Sequence, residues 1–334
     1  MNILLIGSTL NYNLEQYVQI ALTRVGHLVQ FYGTYNQIHS EVIRDFLRIT
    51  GSRSATLRST MRPLGIDKIN GRLKETASKL SPDVVISIKG ELILPETIEW
   101  LKEEMGAKTV LWYPDDPRYF KSLVKHIAPA YDHVFSVSDE CLQMYRNLGL
   151  KNVHHLPVGC EPSIHKKVVL TNEEKRAYGS DICFVGTYIR GRAKILKGLS
   201  NYRLMVRGKF WAFSGIKAGA GIYGPELVKA FNAANVVLNI HHPTDLEWAK
   251  INMRMFEATG CGSFVLTDEP KKLANYFRPD VEVVTYKDTR EAVDKVAYYL
   301  ENEDERSAIA ERGQKKCYSE HTYEQRVKLL LSKL

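Results

Sequence analysis

Residues 251–268, INMRMFEATGCGSFVLTD, hold a helix, a glycine turn and a buried strand in one short segment. Ile251, Met255, Phe256 and Ala258 fall on one helical stripe, Gly260 stands where a left-handed C-cap would close the helix, and residues 263–267 are a short β-rich run. Arg254 and Glu257, three residues apart on the opposite face, share a side of that helix. Two readings are open for them: a surface ion pair on a packed helix, or two groups presented to the preceding loop.

Working outward, the same alternation of strand and helix recurs on both sides. Residues 3–6 are a continuous apolar run ended by Gly7-Ser8-Thr9, followed by a helical pattern over 14–25 and a second strand at 28–32. This opens a parallel-sheet unit, and the loop at Gly7 is a candidate ligand edge because such sheets bind at the carboxyl ends of their strands. It carries no G-x-G-x-x-G, so no dinucleotide site is expected. A helix is expected at 37–48, a long basic loop at 50–62 and a helix at 67–80. The apolar strand 84–88 then leads to Lys89, Gly90 and Glu91, and Pro95 opens another helix. Strand 109–113 runs into Pro114-Asp115-Asp116-Pro117. The paired carboxylates either cap a helix starting near Arg118 or serve a cleft. Short strands at 133–137 and 153–156 flank a helix at 141–148, and a Pro-rich turn follows at 157–162. The polar stretch 166–180 is expected to carry the chain into a second domain.

That second half opens with the strand Ile182-Cys183-Phe184-Val185-Gly186, an Arg-rich loop with Arg190 and Arg192, and a helix to about Leu199. Strand, glycine, basic loop and helix N-terminus make a phosphate cradle, or a basic loop without one. Residues 215–224 are glycine-dense and expected to be a flexible loop. The strand 236–240 ends at Asn239, His241 and His242. Adjacent histidines on a strand point to opposite faces, and no Cys or carboxylate stands at ligand spacing, so no metal site is expected. Thr244-x-x-Glu247 fits a capping box. A strand at 281–285 and helices at 289–300, 304–319 and 323–334 complete the chain.

With 334 residues, 44% hydrophobic and 25% charged, the composition is that of a globular protein of two domains. No apolar run is long enough to span a bilayer, and Met1-Asn2 enters the first strand without a charged leader, so a cytoplasmic location is expected. Five scattered cysteines suggest neither a disulfide frame nor a zinc site. The net charge of +8, with a basic stripe over 44–72, suits an anionic partner: a nucleoside diphosphate, nucleic acid, or an acidic glycan or membrane surface.

Asn252-x-Arg254-x-Phe256-Glu257-Ala258, followed by Gly-Cys-Gly and a strand ending in Thr267-Asp268, resembles the nucleotide-sugar-binding segment of GT-B glycosyltransferases, and among them the CgeB-like (spore-protein) group. Phe-Val-Gly with an Arg six residues after the glycine (Gly186, Arg192), a strand ending Leu-Asn-x-His (Asn239, His241) and an acidic turn after Trp112 (Asp115, Asp116) also match that group. The resemblance implies an α/β GT-B fold: two Rossmann-like domains facing a central cleft, with C-terminal helices crossing back. Residues 1–165 would bind the acceptor, 178–320 the donor, and 321–334 would be the terminal helix.

The resemblance implies further that Glu257 accepts hydrogen bonds from the ribose hydroxyls and that Arg254 holds the diphosphate. Gly186, Arg192, Asn239, His241 and Asn252 complete the donor pocket, and Gly7 and Gly90 lie on the acceptor side. A carboxylate suits a vicinal diol, and Arg with exposed N–H groups suits phosphate. Asp115 or Asp116 would be the base of an inverting enzyme. The co-substrate is a nucleoside-diphosphate sugar, UDP-sugar first, with no metal and no other cofactor. Many retaining relatives carry a Glu eight positions before the ribose Glu; here that position is Ala249, so the sugar is not named. Rival readings are a nucleotide-sugar epimerase of the same fold, a binding protein for nucleic acid or acidic polymer, and a transferase whose acceptor is nucleic acid or an anionic glycan. Peripheral membrane contact also stays open.

Overall fold

The computed structural model describes residues 1–8, 12–37 and 65–334. The helix expected at 37–48, the basic loop at 50–62 and most of the 44–72 stripe lie outside the described residues. The chain divides into two compact units, one of Met1–Pro157 with Glu324–Leu334 and one of Val158–Tyr323.

In the first unit, β1 (Asn2–Gly7), β2 (Leu28–Gly33), β3 (Val84–Ile88), β4 (Lys108–Tyr113), β5 (His133–Ser136) and β6 (Val153–His155) form a parallel sheet in the order β2-β1-β3-β4-β5-β6. Helices α1 (Leu14–Arg24), α2 (Ile66–Leu80), α3 (Pro95–Glu103) and α4 (Leu142–Arg146) accompany it. A central strand covered on both faces must be apolar throughout, and every residue of β3 is buried. The order reverses between β1 and β3, which brings the ends at Gly7 and Lys89-Gly90 side by side. No regular helix starts at Arg118. Tyr119 takes a left-handed conformation (φ 64°) and a π-helical turn, Phe120–Val124, follows.

The second unit begins earlier than the polar stretch suggested. Buried Glu161 anchors a tight turn, accepting the backbone N–H and hydroxyl of Ser163 while its own N–H donates to His165 Nδ1. The stretch expected to cross instead holds α5 (Asn172–Tyr178), closed by a Thr171–Glu174 capping box. Strands β7 (Ser180–Val185), β8 (Leu204–Arg207), β9 (Ala234–Asn239), β10 (Val265–Asp268) and β11 (Val284–Tyr286) form a parallel sheet in the order β11-β10-β9-β7-β8, reversing between β7 and β9. Its core includes Ile182, Phe184, Val206, Val236, Leu238, Leu266 and Val284. The helices are α6 (Arg190–Gly198), α7 (Gly224–Ala233), α8 (Pro243–Glu247), α9 (Met253–Gly260), α10 (Thr289–Glu301) and α11 (Glu303–Glu320). The last, α12 (Tyr323–Leu331), returns the chain to the first unit at Glu324.

Two caps differ from expectation. The left-handed residue after α9 is Gly262 (φ 70°), while Gly260 is still helical. A Cβ on Gly260 would stand 3.0 Å from that of Cys160 and 3.2 Å from that of His165, so close packing is what favours glycine there. Helix α8 is boxed by His242 and Asp245, not Thr244 and Glu247, because Pro243 takes the first helical position and moves the cap two residues back.

Candidate functional site

At the carboxyl ends of β7 and β8 lies a cavity of about 240 Å³ lined by Gly186, Thr187, Gly208, Lys209, Gly221, Ile222, Tyr223 and Arg254. Among these described residues there are two cations and no carboxylate. Glycine is obligatory on its wall. Gly208 (φ 154°) comes so close to the β7 end that a Cβ would fall 2.0 Å from the Gly186 carbonyl oxygen. Gly219 pairs with Arg207, whose guanidinium would stand 2.2 Å from a Cβ at that position. Close backbone approach thus accounts for Gly208, while Gly215 and Gly224 take left-handed conformations, φ 76° and 53°. Trp211 pegs the loop in place, its Nε1 donating to Gly186 O at 2.9 Å and its ring meeting Phe184 and Tyr188 edge-on.

Arg254 leaves the first turn of α9, above the Phe231 ring at 5.8 Å, and donates to Glu257 Oε2 at 2.5 Å. Asn252 caps the same turn, accepting Met255 N–H. Glu257 is only 1% exposed and does not line the cavity; it stands behind Arg254 and orients the guanidinium. Burial pushes its carboxyl above the usual range, with the Arg254 charge opposing. Its other oxygen lies 3.7 Å from His165 Nε2. Burial, and then the Arg254 charge, pushes the His165 imidazole down to about 3, so the ring is neutral at pH 7. Nothing in the sequence signalled His165, since its role comes from the buried turn at Glu161.

Arg192, expected at the phosphate, is held to backbone on both sides. Its Nε and Nη2 both donate to Ile240 O, at 3.0 and 2.8 Å, and Nη1 donates to Thr187 O at 2.9 Å. The side chain therefore straps the loop after β7 to the loop after β9, across the reversal point of the sheet. Three of the five N–H donors of the guanidinium are spent on backbone.

Beyond the strap opens a second cavity, about 610 Å³, lined by Arg192, Ile240, His241, Leu246, Asp268, Tyr286 and neighbouring residues at the starts of α6 and α10. A polar chain runs to its wall. Asn252 Nδ2 donates to Asn239 Oδ1 at 3.1 Å, and Asn239 Nδ2 donates to Thr267 Oγ1 at 3.1 Å and lies 3.2 Å from His241 Nδ1. His241 Nδ1 stands 2.5 Å from Asp268, which also accepts the His241 backbone N–H. Asn239, His241 and Asn252 are thus brought together, with Thr267 and Asp268 as members the sequence reading left unassigned. Their signal was present as the Thr-Asp ending of a strand beside β9. The two histidines part as expected: His241 meets Asp268, and His242 caps α8.

In the first unit, Gly7 and Gly90 line a shallow recess with Glu15, Thr34, Lys89 and Glu91. Lys89 and Gly90 both take left-handed conformations, φ 66° and 63°. This turns Lys89 Nζ to within 2.6 Å of Asp115, which raises the ammonium above its ordinary pKa. The tandem aspartates diverge. Asp115 is about a third exposed at 35%, while Asp116 is fully buried and accepts from Ser136 Oγ at 2.6 Å and Tyr145 OH at 2.8 Å. Among the described residues no three His, Cys, Asp or Glu side chains gather as a metal would require, no helix is long and apolar enough to cross a membrane, and all five cysteines are buried and outside any disulfide.

Residues 191–332 match the family described as glycosyl transferase-like. Spore protein CgeB of Bacillus subtilis (strain 168) is 22% identical over 265 residues, which cover 73% of this chain and 80% of that one. Among solved structures, sucrose-phosphate synthase of Thermosynechococcus elongatus superposes with a TM-score of 0.68 at 12% identity, over 99% of this chain and 97% of that one. Anabaena HepE, solved in complex with UDP-glucose, superposes with a TM-score of 0.65 at 11% identity over 100% of both. The fold is that of the GT-B glycosyltransferases, and the resemblance to the CgeB-like group is borne out.

Proposed function

We propose that this GT-B-fold chain is a glycosyltransferase that takes a nucleoside-diphosphate sugar in its second unit and passes the sugar to an acceptor held by the first. The observation that carries this reading is the acid-free, glycine-walled cavity at the ends of β7 and β8, with Arg254 and Lys209 on its rim. Bare backbone lets a diphosphate approach closely, and two cations meet the charge that grows on it as the glycosidic bond breaks. Side chains rather than a divalent ion take that charge. Glu257 aims Arg254, and when the guanidinium turns to phosphate the freed carboxylate oxygen takes the ribose diol. The larger cavity, with the His241–Asp268 pair on its wall, takes the sugar, whose hydroxyls suit a buried chain of amide, imidazole and carboxylate groups. UDP is the first candidate nucleotide, because HepE holds UDP-glucose on the same fold.

For an inverting transfer, the acceptor proton goes to Asp115. Asp116 is enclosed and serves the sheet, whereas Asp115 is reachable and paired with Lys89. The reading is tested by calorimetric titration of UDP, GDP, dTDP and ADP into the wild type, R254M and E257Q. One diphosphate binds the wild type, and R254M weakens it about 10-fold or more, as loss of a charged hydrogen-bond partner does. E257Q weakens binding less if the carboxylate only aims Arg254, and as much if it also holds ribose. No binding by any of the four, or binding indifferent to Arg254, would overturn the donor-site assignment.

A further inference from the structure

The chain holds 46 basic and 38 acidic residues, and one stretch of it carries bases alone. Residues 182–225 contain Arg190, Arg192, Lys194, Lys197, Arg203, Arg207, Lys209 and Lys217 and no Asp or Glu, so that segment carries the whole net charge of +8 and the remainder balances. Within it, the loop after β8 presents two phenylalanines to solvent: Phe210 is 76% exposed and Phe213 is 107% exposed, more than in an extended chain. Both stand in the left-handed region, φ 64° and 66°, which is strained for a bulky side chain. Buried Trp211 between them, tied to Gly186, holds the loop in that posture. Exposed Lys209 and Lys217 bracket the pair.

We infer that the 209–217 loop is a docking element for an anionic phospholipid bilayer, with Phe210 and Phe213 entering the acyl boundary and the surrounding basic residues meeting the headgroups. Aromatic residues among cations also suit single-stranded nucleic acid, but stacking needs rings lying open in a groove beside the backbone track. Here the rings stand out at the tip of a pegged loop, which is the geometry of insertion. Apolar tips flanked by exposed lysines bind by the sum of buried area and attraction to anionic lipid. The two phenylalanines are independent of the donor reading, since neither lines a cavity described above, whereas Lys209 also stands on the rim of the donor cavity.

The test is flotation of the full chain with vesicles of phosphatidylcholine alone and of phosphatidylcholine with 30% phosphatidylglycerol, for the wild type, F210S, F213S and the double variant. The wild type floats with the anionic vesicles only, and less as salt rises. Each single variant loses about tenfold in partition, and the double variant stays at the bottom with an unchanged melting temperature, since both side chains lie at the surface. Failure of the wild type to float, flotation equal in the double variant, or loss in the double variant of binding to a single-stranded oligonucleotide without any vesicle binding would each overturn the assignment.

Discussion

Replacing Arg192 with methionine separates a strap from a phosphate ligand. Methionine keeps an unbranched apolar stem over Phe184, which the guanidinium overlies at 5.6 Å, but removes the donors to Thr187 O and Ile240 O. A hydrogen bond from a charged donor contributes about 1.5–3 kcal/mol. Two of the three here share one acceptor and the third is solvent-exposed, so the expected cost is about 3 kcal/mol and not the sum. For a unit of this size, that lowers the melting midpoint by roughly 6–12 °C. Calorimetry on nucleotide-free protein reads this directly, with the two units free to melt as separate transitions. Loosening the loops after β7 and β9 also weakens UDP binding, as a secondary effect. If R192M melts with the wild type and loses only UDP affinity, Arg192 is a phosphate ligand and the strap is refuted.

The buried His165 gives the second unit an acid-sensitive point. Its folded pKa, about 3, lies below the unfolded 6.5, so the unfolded state binds more protons and stability is full above pH 6.5 and lost as pH falls from there toward 3. The loss is about 1.4 kcal/mol per pH unit, or roughly 2 kcal/mol between pH 6.5 and 5. Glu257, shifted upward, acts in the opposite sense, becoming easier to protonate in the folded state as pH falls. H165N, whose side-chain oxygen can still accept the Glu161 N–H, should flatten the acid limb of urea midpoints measured over that range; an unchanged slope would show that His165 is not the group responsible. The tandem aspartates should respond in opposite ways. D116A strands two buried hydroxyls and costs about 2–3 kcal/mol in urea unfolding. D115N leaves stability within about 1 kcal/mol, since its partner is a surface lysine, while turnover falls about 10²–10⁴-fold. A fully active D115N excludes it as the base.

The two sheets were legible because parallel strands covered on both faces must be continuous apolar runs, and residues 84–88 and 182–185 read that way directly. Caps carried by local chemistry, such as Pro95 at the start of α3, were legible for the same reason. What sequence does not encode locally was not. Adjacent Asp115 and Asp116 differ in one being enclosed by Ser136 and Tyr145, which lie 20 and 29 residues away. An arginine beside a glycine loop looks the same whether it meets phosphate or a carbonyl 48 residues on, as Arg192 does. The Asn252–Asn239–His241–Asp268 chain joins three elements that only the folded sheet brings together.

The return of the chain to its first unit at Glu324 has a consequence for biosynthesis. Val327 and Leu330 are buried, and Arg326 Nε donates to Pro157 O at 3.1 Å, so the last turns of α12 are part of that unit's interior. The unit begun first on the ribosome therefore finishes last, after every residue of the second has emerged. Domains usually complete in the order they are translated. Here the whole of the second unit is made while the first still lacks Glu324–Leu334, so the moment at which both units are complete depends on those eleven residues.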